Sequence, residues 1–517
     1  MEQKSVSDRV WSFFSSVKLA IVIFSLIGLT SIVGTIIEQQ APREKNIQVL
    51  TKLVGQDLAP GAYNVLDSLG FMDMYRSWWF LALLMLFGLN LLVCSTDRFP
   101  AIWRQVTTPL KPLPRETFNS LGIRSEAVIK GGQEAAKERA RKALKAIGFK
   151  AQEEADAHGG YQLFAQKAPW SRLGIYISHF SILIILIGAV IGIFFGFKAF
   201  VNIPEGVGYS IVFQNRGVST EAESNERNRL VNMLDMAKGD LNYLAQNLGV
   251  PLSQLKTDLR KYGIIPLDFT VKCEDFDVEF YGRSDMPKAY KSLLTVYEGG
   301  KPVTSKWIEV NSPLKYKGVT FYQSSYGLLD DLSSGEAVFD IKTPAGASET
   351  RRVKPGESFT IPGSNATATF VDFSPALKAD EMGRPVTYAN LMNNPAVGLE
   401  IKSPGGQVSG RWILEREPAS WVLEDGTILE LKDFWGAQYT GLQARKDPGV
   451  RVVYLGCLTL AIGLFVAFFM SHKKLWVRLQ PDKGGTRVQV AATASKNKFS
   501  FERQIEKLTA LLKEENK

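Results

Sequence analysis

The chain contains very little histidine and cysteine. Its 517 residues include three of each, namely His158, His179, His472, Cys94, Cys273 and Cys457. No two cysteines have the CxxC spacing of a zinc or thiol redox site, so the sequence predicts neither a disulfide framework nor a structural zinc site. Residues 199–449 lack histidine entirely, which excludes a conventional Ser-His-Asp triad from this long segment.

Charge is also missing from four long stretches. They run from Leu19 to Ile37, from Trp78 to Cys94, from Leu173 to Phe197 and from Val452 to Met470. About 20 mainly apolar residues suffice to cross the hydrocarbon core of a bilayer. We therefore predict transmembrane helices at residues 19–37, 78–94, 173–197 and 450–470. The first run is longer than the apolar part of a signal peptide and lacks a small-residue cleavage site, so we expect it to remain as an anchor.

Basic residues are distributed unevenly around these runs. Residues 95–172 carry 14 Lys or Arg and 8 acids, residues 471–517 carry 11 and 5, and residues 199–449 carry 27 and 32. Basic residues close to a span resist translocation. The predicted topology in the plasma (inner) membrane is a cytoplasmic N-terminus (1–18), outer loop (38–77), cytoplasmic basic loop (95–172), extracytoplasmic domain (198–449) and cytoplasmic tail (471–517). This arrangement accounts for the net charge of +9 without nucleic-acid binding.

The segment between the third and fourth spans changes pattern along its length. Residues 221–262 have helical spacing of leucines and predict two helices broken near Gly249-Val250-Pro251. Residues 267–440 form short alternating runs separated by Gly and Pro turns, a pattern typical of an antiparallel sandwich or barrel. The predicted fold class is an integral membrane protein with four transmembrane α-helices plus a large, mainly-β extracytoplasmic domain with a helical insertion.

The sequence also predicts the environment of several individual residues. Gly188 and Gly192 in the third span form a small-xxx-small pair that allows another helix to approach closely. Cys273 lies in an alternating strand pattern and is expected to be a buried thiol, with a redox-active thiol as the alternative. Three acids of the predicted strands are interpreted as solvated side chains rather than catalytic groups: Asp268, Asp275 and Asp277.

Seven short stretches, taken in order, are similar to a known family. They are residues 15–20, 34–39, 172–181, 310–314, 318–323, 439–442 and 446–449, which read SSVKLA, GTIIEQ, RLGIYISHFS, VNSPL, GVTFYQ, YTGL and KDPG. Together with four spans and one outer domain, they make the chain resemble the ResB family, also called CcsB, of System II cytochrome c biogenesis membrane proteins.

The resemblance implies a subunit of the System II cytochrome c maturation complex. The subunit would work with a CcsA-type haem-handling membrane partner in carrying haem b across the membrane and attaching it to apocytochrome c on the outer face. A thiol-disulfide reductase is a further implied partner. The family's tryptophan-rich haem-handling loop belongs to the CcsA partner, so no activity is assigned to this chain outside a haem lyase complex. The alternative is a structural membrane scaffold that docks apocytochrome or a thiol reductase without binding haem.

His179 is the candidate site residue, because the resemblance implies that a histidine at this place in the third span ligates the haem iron. An ionisable side chain inside a span is costly and usually faces the bundle interior or a cofactor, and neutral imidazole is a common axial haem ligand. The alternative is a hydrogen bond between helices through Ser178 or Ser181. His472 is expected to be interfacial and His158 solvated.

Overall fold

The computed structural model describes residues 5–39, 41, 43–156, 159–214, 221–237, 240–282, 286–332 and 335–513; His158 lies outside them. The α-helices of this part are α1 (Val6–Phe14), α2 (Val17–Ile36), α3 (Arg43–Val54), α4 (Ala59–Ser68), α5 (Trp78–Thr107), α6 (Arg115–Ser120), α7 (Gln133–Ala146), α8 (Gly174–Phe195), α9 (Glu221–Met236), α10 (Leu241–Leu248), α11 (Leu252–Lys261), α12 (Val450–Phe469) and α13 (Lys498–Lys513). Short 3-10 helices lie at Phe71–Arg76, Pro169–Leu173 and Pro418–Ser420.

The strands pair antiparallel throughout their named ladders. In chain order they are β1 (Ile123–Ile129), β2 (Gln152–Ala155), β3 (Tyr161–Lys167), β4 (Phe197–Pro204), β5 (Gly208–Phe213), β6 (Ile264–Phe280), β7 (Pro287–Glu298), β8 (Lys301–Glu309), β9 (Leu314–Tyr316), β10 (Val319–Leu328), β11 (Glu336–Lys342), β12 (Ser348–Val353), β13 (Ser358–Thr360), β14 (Thr367–Ser374), β15 (Leu377–Ala379), β16 (Pro385–Thr387), β17 (Ala396–Lys402), β18 (Val408–Leu414), β19 (Ile428–Trp435), β20 (Gln438–Lys446), β21 (Lys473–Asp482) and β22 (Gly485–Ala494).

The chain divides into two compact units. Unit 1 comprises Met1–Gln39, Gly61–Phe194 and Gly449–Lys517, and unit 2 comprises Gln40–Pro60 and Phe195–Pro448. Unit 1 contains four helices that are long and apolar enough to cross a membrane, namely α2, α5, α8 and α12. The four predicted apolar helices are therefore confirmed. Helix α5 continues to Thr107, beyond the predicted end at residue 94, and its 30 residues span about 45 Å at 1.5 Å per residue.

Helix α12 and its N-cap carry a glycine at every seventh position, Gly449, Gly456 and Gly463, and this face packs against α8. A Cβ built on Gly456 would lie 3.0 Å from the backbone nitrogen of Ile185, and one built on Gly463 would lie 2.7 Å from that of Ser178. Only glycine permits so close an approach of two helix backbones.

Helix α8 contributes small residues to the same seam. A Cβ built on Gly188 would lie 2.9 Å from the backbone nitrogen of Val453, and one built on Gly174 would lie 2.6 Å from that of Ala467. The close helix partner predicted from Gly188 and Gly192 is thus confirmed, and it is α12.

Gln39, the last residue of the stretch 34–39 that resembles the family, joins the end of α2 to a neighbouring helix. Its side-chain amide donates to the carbonyl oxygens of Gly34 and Phe71, at 3.0 and 3.1 Å, and its Oε1 accepts from the Met74 backbone N–H at 2.8 Å. These bonds satisfy backbone groups at the end of α2 and tie that end to the 3-10 helix at Phe71–Arg76.

Unit 1 also contains an α/β domain built from two distant segments, residues 115–167 and 473–513, which we call the split domain. Its sheet has the order β1-β22-β21-β3-β2, so the two central strands come from the C-terminal segment and their neighbours from the segment before α8. The charge pattern predicts a separate loop and tail for these segments, whereas in the structure they form one sheet. Their pairing starts at Lys473, shortly after the end of α12, opposite Lys167, shortly before the start of α8.

The core of the split domain lies between this sheet and helices α7 and α13. Phe501 and Leu508 of α13 and Leu144 of α7 are almost fully buried against Val477 and Val488 of the sheet. Burying a side chain of this size stabilises the fold by roughly 1.5–3 kcal/mol. The C-terminal helix is therefore part of a folded core.

Unit 2 is mainly β, as predicted. An eight-stranded sheet has the order β8-β7-β6-β5-β4-β20-β10-β9. A three-stranded sheet, β12-β11-β19, and a four-stranded sheet, β13-β14-β17-β18, share a second core around Phe339, Phe370 and Phe434. The predicted helical insertion forms three helices, α9, α10 and α11, instead of two, because Asp240 caps a separate α10 by accepting from two backbone N–H groups.

Candidate functional site

His179 lies on α8 opposite α5. Its Nδ1 is 3.0 Å from the hydroxyl oxygen of Ser95, the residue that follows the predicted end of the second apolar run. The ring of Tyr176, one turn earlier on α8, lies 6.4 Å from the imidazole. The hydrogen bond to Ser95 fixes the orientation of the imidazole and leaves Nε2 as the ring nitrogen available to a ligand.

His179 lines a cavity of about 490 Å³. The cavity walls come from α5, the 3-10 helix at Pro169–Leu173, α8, the start of α2 and the segment after β22: Val17, Ala20, Asn90, Leu91, Cys94, Ser95, Arg98, Ile102, Ser171, Arg172, Ile175, Tyr176, His179, Ser495 and Lys496. Most of the accessible surface of this lining is apolar, although it includes one imidazole and three cationic side chains. Such a mixture suits a large apolar ligand that bears a few polar groups.

The N-terminal wall of the cavity is held by polar contacts to α5. Asn90 is 1% exposed, and its side-chain amide donates to the carbonyl oxygens of Phe14 and Ser16 at 2.6 and 3.2 Å. Trp11 donates its indole N–H to Asp97 Oδ1 at 3.0 Å. Helix α1 and the start of α2 are thereby fixed against α5, which positions Val17 at the cavity.

His472, which is expected to be interfacial rather than a ligand, is buried within the protein and 2% exposed. Arg172 donates from Nε to His472 Nδ1 at 3.0 Å, and Nε2 lies 3.0 Å from the side-chain oxygen of Gln166. A guanidinium can only donate, so this imidazole is neutral, with its proton on Nε2. Burial and the positive charges of Lys474 and Arg172 lower the pKa of His472 to about 4. Both ring nitrogens of His472 are occupied within the protein, and among the described histidines His179 is the one that lines the cavity.

The alternative interpretation of His179, a hydrogen bond between helices, is observed, but it runs to Ser95 on α5 and not through Ser178 or Ser181. Ser178 donates to the Gly174 carbonyl oxygen and Ser181 donates to the Ser178 carbonyl oxygen, at 3.1 and 2.6 Å. Both serines lie in the seam with α12. The partner, Ser95, was missed, although it is the first polar side chain after the uncharged run of the second span.

One of the acids that are predicted to be solvated, Asp275, belongs instead to a partly buried acidic cluster in unit 2. Carboxylate oxygens of Glu205, Asp275 and Asp433 lie within 4.8 Å of one another. Glu205 accepts hydrogen bonds from the backbone N–H groups of Phe276 and Gly436, at 2.9 and 2.8 Å. Burial, followed by the charge of Asp433, raises the pKa of Glu205 to about 9, and burial raises that of Asp433 to about 6. Glu205 therefore holds a proton at neutral pH.

These raised pKa values predict that unit 2 loses stability as pH rises. Between the ordinary carboxyl pKa of 4.5 and about 9, the folded state binds a proton that the unfolded state releases. For each such proton, the free energy of unfolding falls by about 1.4 kcal/mol for every unit that the pH rises. Asp433→Asn removes one charge, so we expect a smaller fall in the thermal midpoint between about pH 5 and pH 8. The exposed substitution Glu381→Gln is the control, and an unchanged pH dependence in Asp433→Asn would contradict the prediction.

Cys273 is fully buried on β6, as its strand pattern predicts. Its Sγ lies 3.5 Å from the Asp275 carbonyl oxygen, and burial raises the pKa of the thiol. A buried thiol with a raised pKa carries little thiolate, so the buried interpretation is favoured over the redox-active one.

Comparison with known proteins places these features in one family. The sequence profile of the ResB-like family matches residues 17–429 and 416–506. The chain is 25% identical to the cytochrome c biogenesis protein CcsB of Picosynechococcus sp. over 512 residues, which cover 97% of the chain and 92% of that protein. It is also 25% identical to the cytochrome c biogenesis protein ResB of Bacillus subtilis over 519 residues, which cover 97% of the chain and 87% of that protein. The chain therefore belongs to the ResB-like family.

Proposed function

We propose that the chain is an inner-membrane protein in which α2, α5, α8 and α12 cross the bilayer. The basic segments, including the split domain, lie in the cytoplasm, and unit 2 lies on the outer face. The support is the distribution of Lys and Arg around four apolar helices, because basic segments resist translocation.

Reporter fusions test this topology. Alkaline phosphatase fused after Gly282, in the segment between α8 and α12, is expected to be active, because the enzyme folds only outside the cytoplasm. The same reporter after Gly148, in the split domain, is expected to be inactive. The opposite pattern would overturn the charge argument.

We further propose that the chain functions in cytochrome c biogenesis by holding haem b as a transported substrate at His179. The observation that carries this proposal is the one imidazole among the described lining residues of the cavity, which is oriented by Ser95 and whose Nε2 has no hydrogen-bond partner in the described part of the chain. In haem proteins, an iron-ligating histidine commonly donates its other ring N–H to a fixed acceptor, which sets the tautomer. Ser95 takes that role here.

The depth of His179 supports a route for haem from the cytoplasmic side. Seven residues separate it from Arg172, which places the imidazole roughly 10 Å along the helix from that arginine. Haem would reach this position from the inner leaflet. A second axial ligand comes from a partner, since His472 is engaged with Arg172 and Gln166.

The partners in this proposal are a CcsA-type membrane subunit that supplies the second ligand, apocytochrome c on the outer face and a thiol-disulfide reductase. Attachment of haem to the apocytochrome takes place in the complex. The absorption spectrum of the purified chain, with and without its CcsA-type partner, separates this proposal from the scaffold alternative. We expect a Soret band from bound haem. Its absence in both samples would favour a scaffold that docks apocytochrome without haem.

A further inference from the structure

The His179 cavity contains cationic side chains that iron ligation does not use. Arg98, Arg172 and Lys496 line it, and no carboxylate is among its described lining residues. Asp97, next to Arg98 in sequence, accepts its hydrogen bond from Trp11. Arg98 and Lys496 are exposed. The Arg172 guanidinium is engaged in part, since Nε donates to His472 at 3.0 Å and Nη1 donates to Gln105 at 2.6 Å.

The three cations lie on the same side of the imidazole. Arg98 follows Ser95 by three residues on α5, which places it on the same helix face and about 4.5 Å further toward the C-terminal end of that helix. Arg172 precedes His179 by about two helical turns. Both displacements lead away from His179 toward the end of the cavity next to the split domain.

Lys496 is brought to the same end by a fixed turn after β22. Its backbone N–H donates to the Ser471 hydroxyl oxygen at 3.1 Å, and that hydroxyl donates to the Lys496 carbonyl oxygen at 2.8 Å. The neighbouring Ser495 hydroxyl accepts from the His472 backbone N–H at 3.0 Å. The end of α12 thus positions a lysine from the C-terminal segment at the cavity.

We propose that Arg98, Lys496 and Arg172 form a subsite for the two propionate carboxylates of the haem whose iron His179 ligates. The inference rests on the haem proposal above and deepens it. Haem is an apolar ring with two carboxylates on one edge, and the cavity offers apolar walls, one iron ligand and cations at one end. Charge-assisted hydrogen bonds to carboxylates are among the strongest in proteins. The subsite fixes the orientation of haem, with its propionates toward the cytoplasmic side.

Binding of two porphyrins to the purified full-length chain tests the subsite. The probes are iron protoporphyrin IX and its dimethyl ester, which keeps the iron and the ring but lacks the negative charges. In the double variant Arg98→Gln and Lys496→Gln we expect haem affinity to fall roughly tenfold, about 1.4 kcal/mol, and affinity for the ester to be unchanged. If Arg98→Lys replaces Arg98→Gln in this double variant, the charge at position 98 is kept, and most of the preference for haem over the ester should be restored.

Arg104→Gln is the matched control, since Arg104 lies on the same helix but faces a different cavity. Lys496→Gln alone, at an exposed position, should give part of the loss without disturbing a helix. Equal weakening toward both porphyrins, or no change toward either, would overturn the propionate subsite. If instead the wild-type chain bound neither porphyrin, or His179→Ala bound both as tightly as the wild type, the haem proposal itself would fail.

Discussion

His179→Ala is expected to leave the protein folded and in the membrane, to reduce its haem content to near background and to abolish maturation of c-type cytochromes. The reason is that no other described imidazole faces the cavity, since His472 is engaged at both ring nitrogens. The measurements are the Soret absorbance of the purified protein and haem staining of cytochromes c in cells. Added imidazole should restore both, because it can occupy the vacated position on the iron.

Ser178→Ala is the matched control on the same helix. The Ser178 hydroxyl bonds its own helix at Gly174, and the residue lies in the seam with α12, away from the cavity. The control should keep full haem content. Full haem occupancy and activity in His179→Ala would return His179 to a hydrogen-bonding role with Ser95.

Gly456→Leu is expected to prevent accumulation of the folded protein. Its Cβ would lie 2.6 Å from the Ile185 side chain, 3.0 Å from the Ile185 backbone nitrogen and 3.1 Å from the Ser181 carbonyl oxygen. Backbone atoms of a packed helix cannot move aside locally, so α8 and α12 would have to separate. We expect a loss of at least about 3 kcal/mol of stability, measured as lower membrane abundance and a broadened size-exclusion profile in detergent.

The corresponding control is Gly28→Leu in α2, where a Cβ would meet no atom within 4 Å. This variant adds the same side chain to another apolar helix and should accumulate normally. Normal abundance of Gly456→Leu would mean that the seam between α8 and α12 is looser than the distances indicate.

The sequence predicts the apolar helices well because their signal is local. An uncharged run of about 20 residues is visible without knowledge of any contact. The end of α5 at Thr107 was missed because the helix continues through charged and polar residues beyond the apolar run. The split domain was missed for a different reason, because its sheet and its core combine strands and helices from two segments that are far apart in sequence.

The candidate site was predicted in part. The depth of His179 in an apolar run identifies it, but the identity of its partner depends on how α5 and α8 pack, which is not encoded locally. Ser178 and Ser181 were reasonable partners by proximity in sequence, yet both face α12. Asp275 was misjudged similarly, because strand alternation does not reveal that Glu205 and Asp433 converge on it.

The pairing of β3 with β21 constrains the order in which the chain can fold during synthesis. Gln166 and His472, which meet at the start of this pairing, are 306 residues apart. The ribosome completes β1, α7, β2 and β3 before it begins the segment up to α12. Strands β1 and β3 therefore lack their pairing partners β22 and β21 until the C-terminal segment has been made. Contacts of such high sequence separation form slowly. Closure of the split domain therefore requires that α12 has already been made, and a chain truncated before β21 would expose two unpaired strand edges to quality-control proteases.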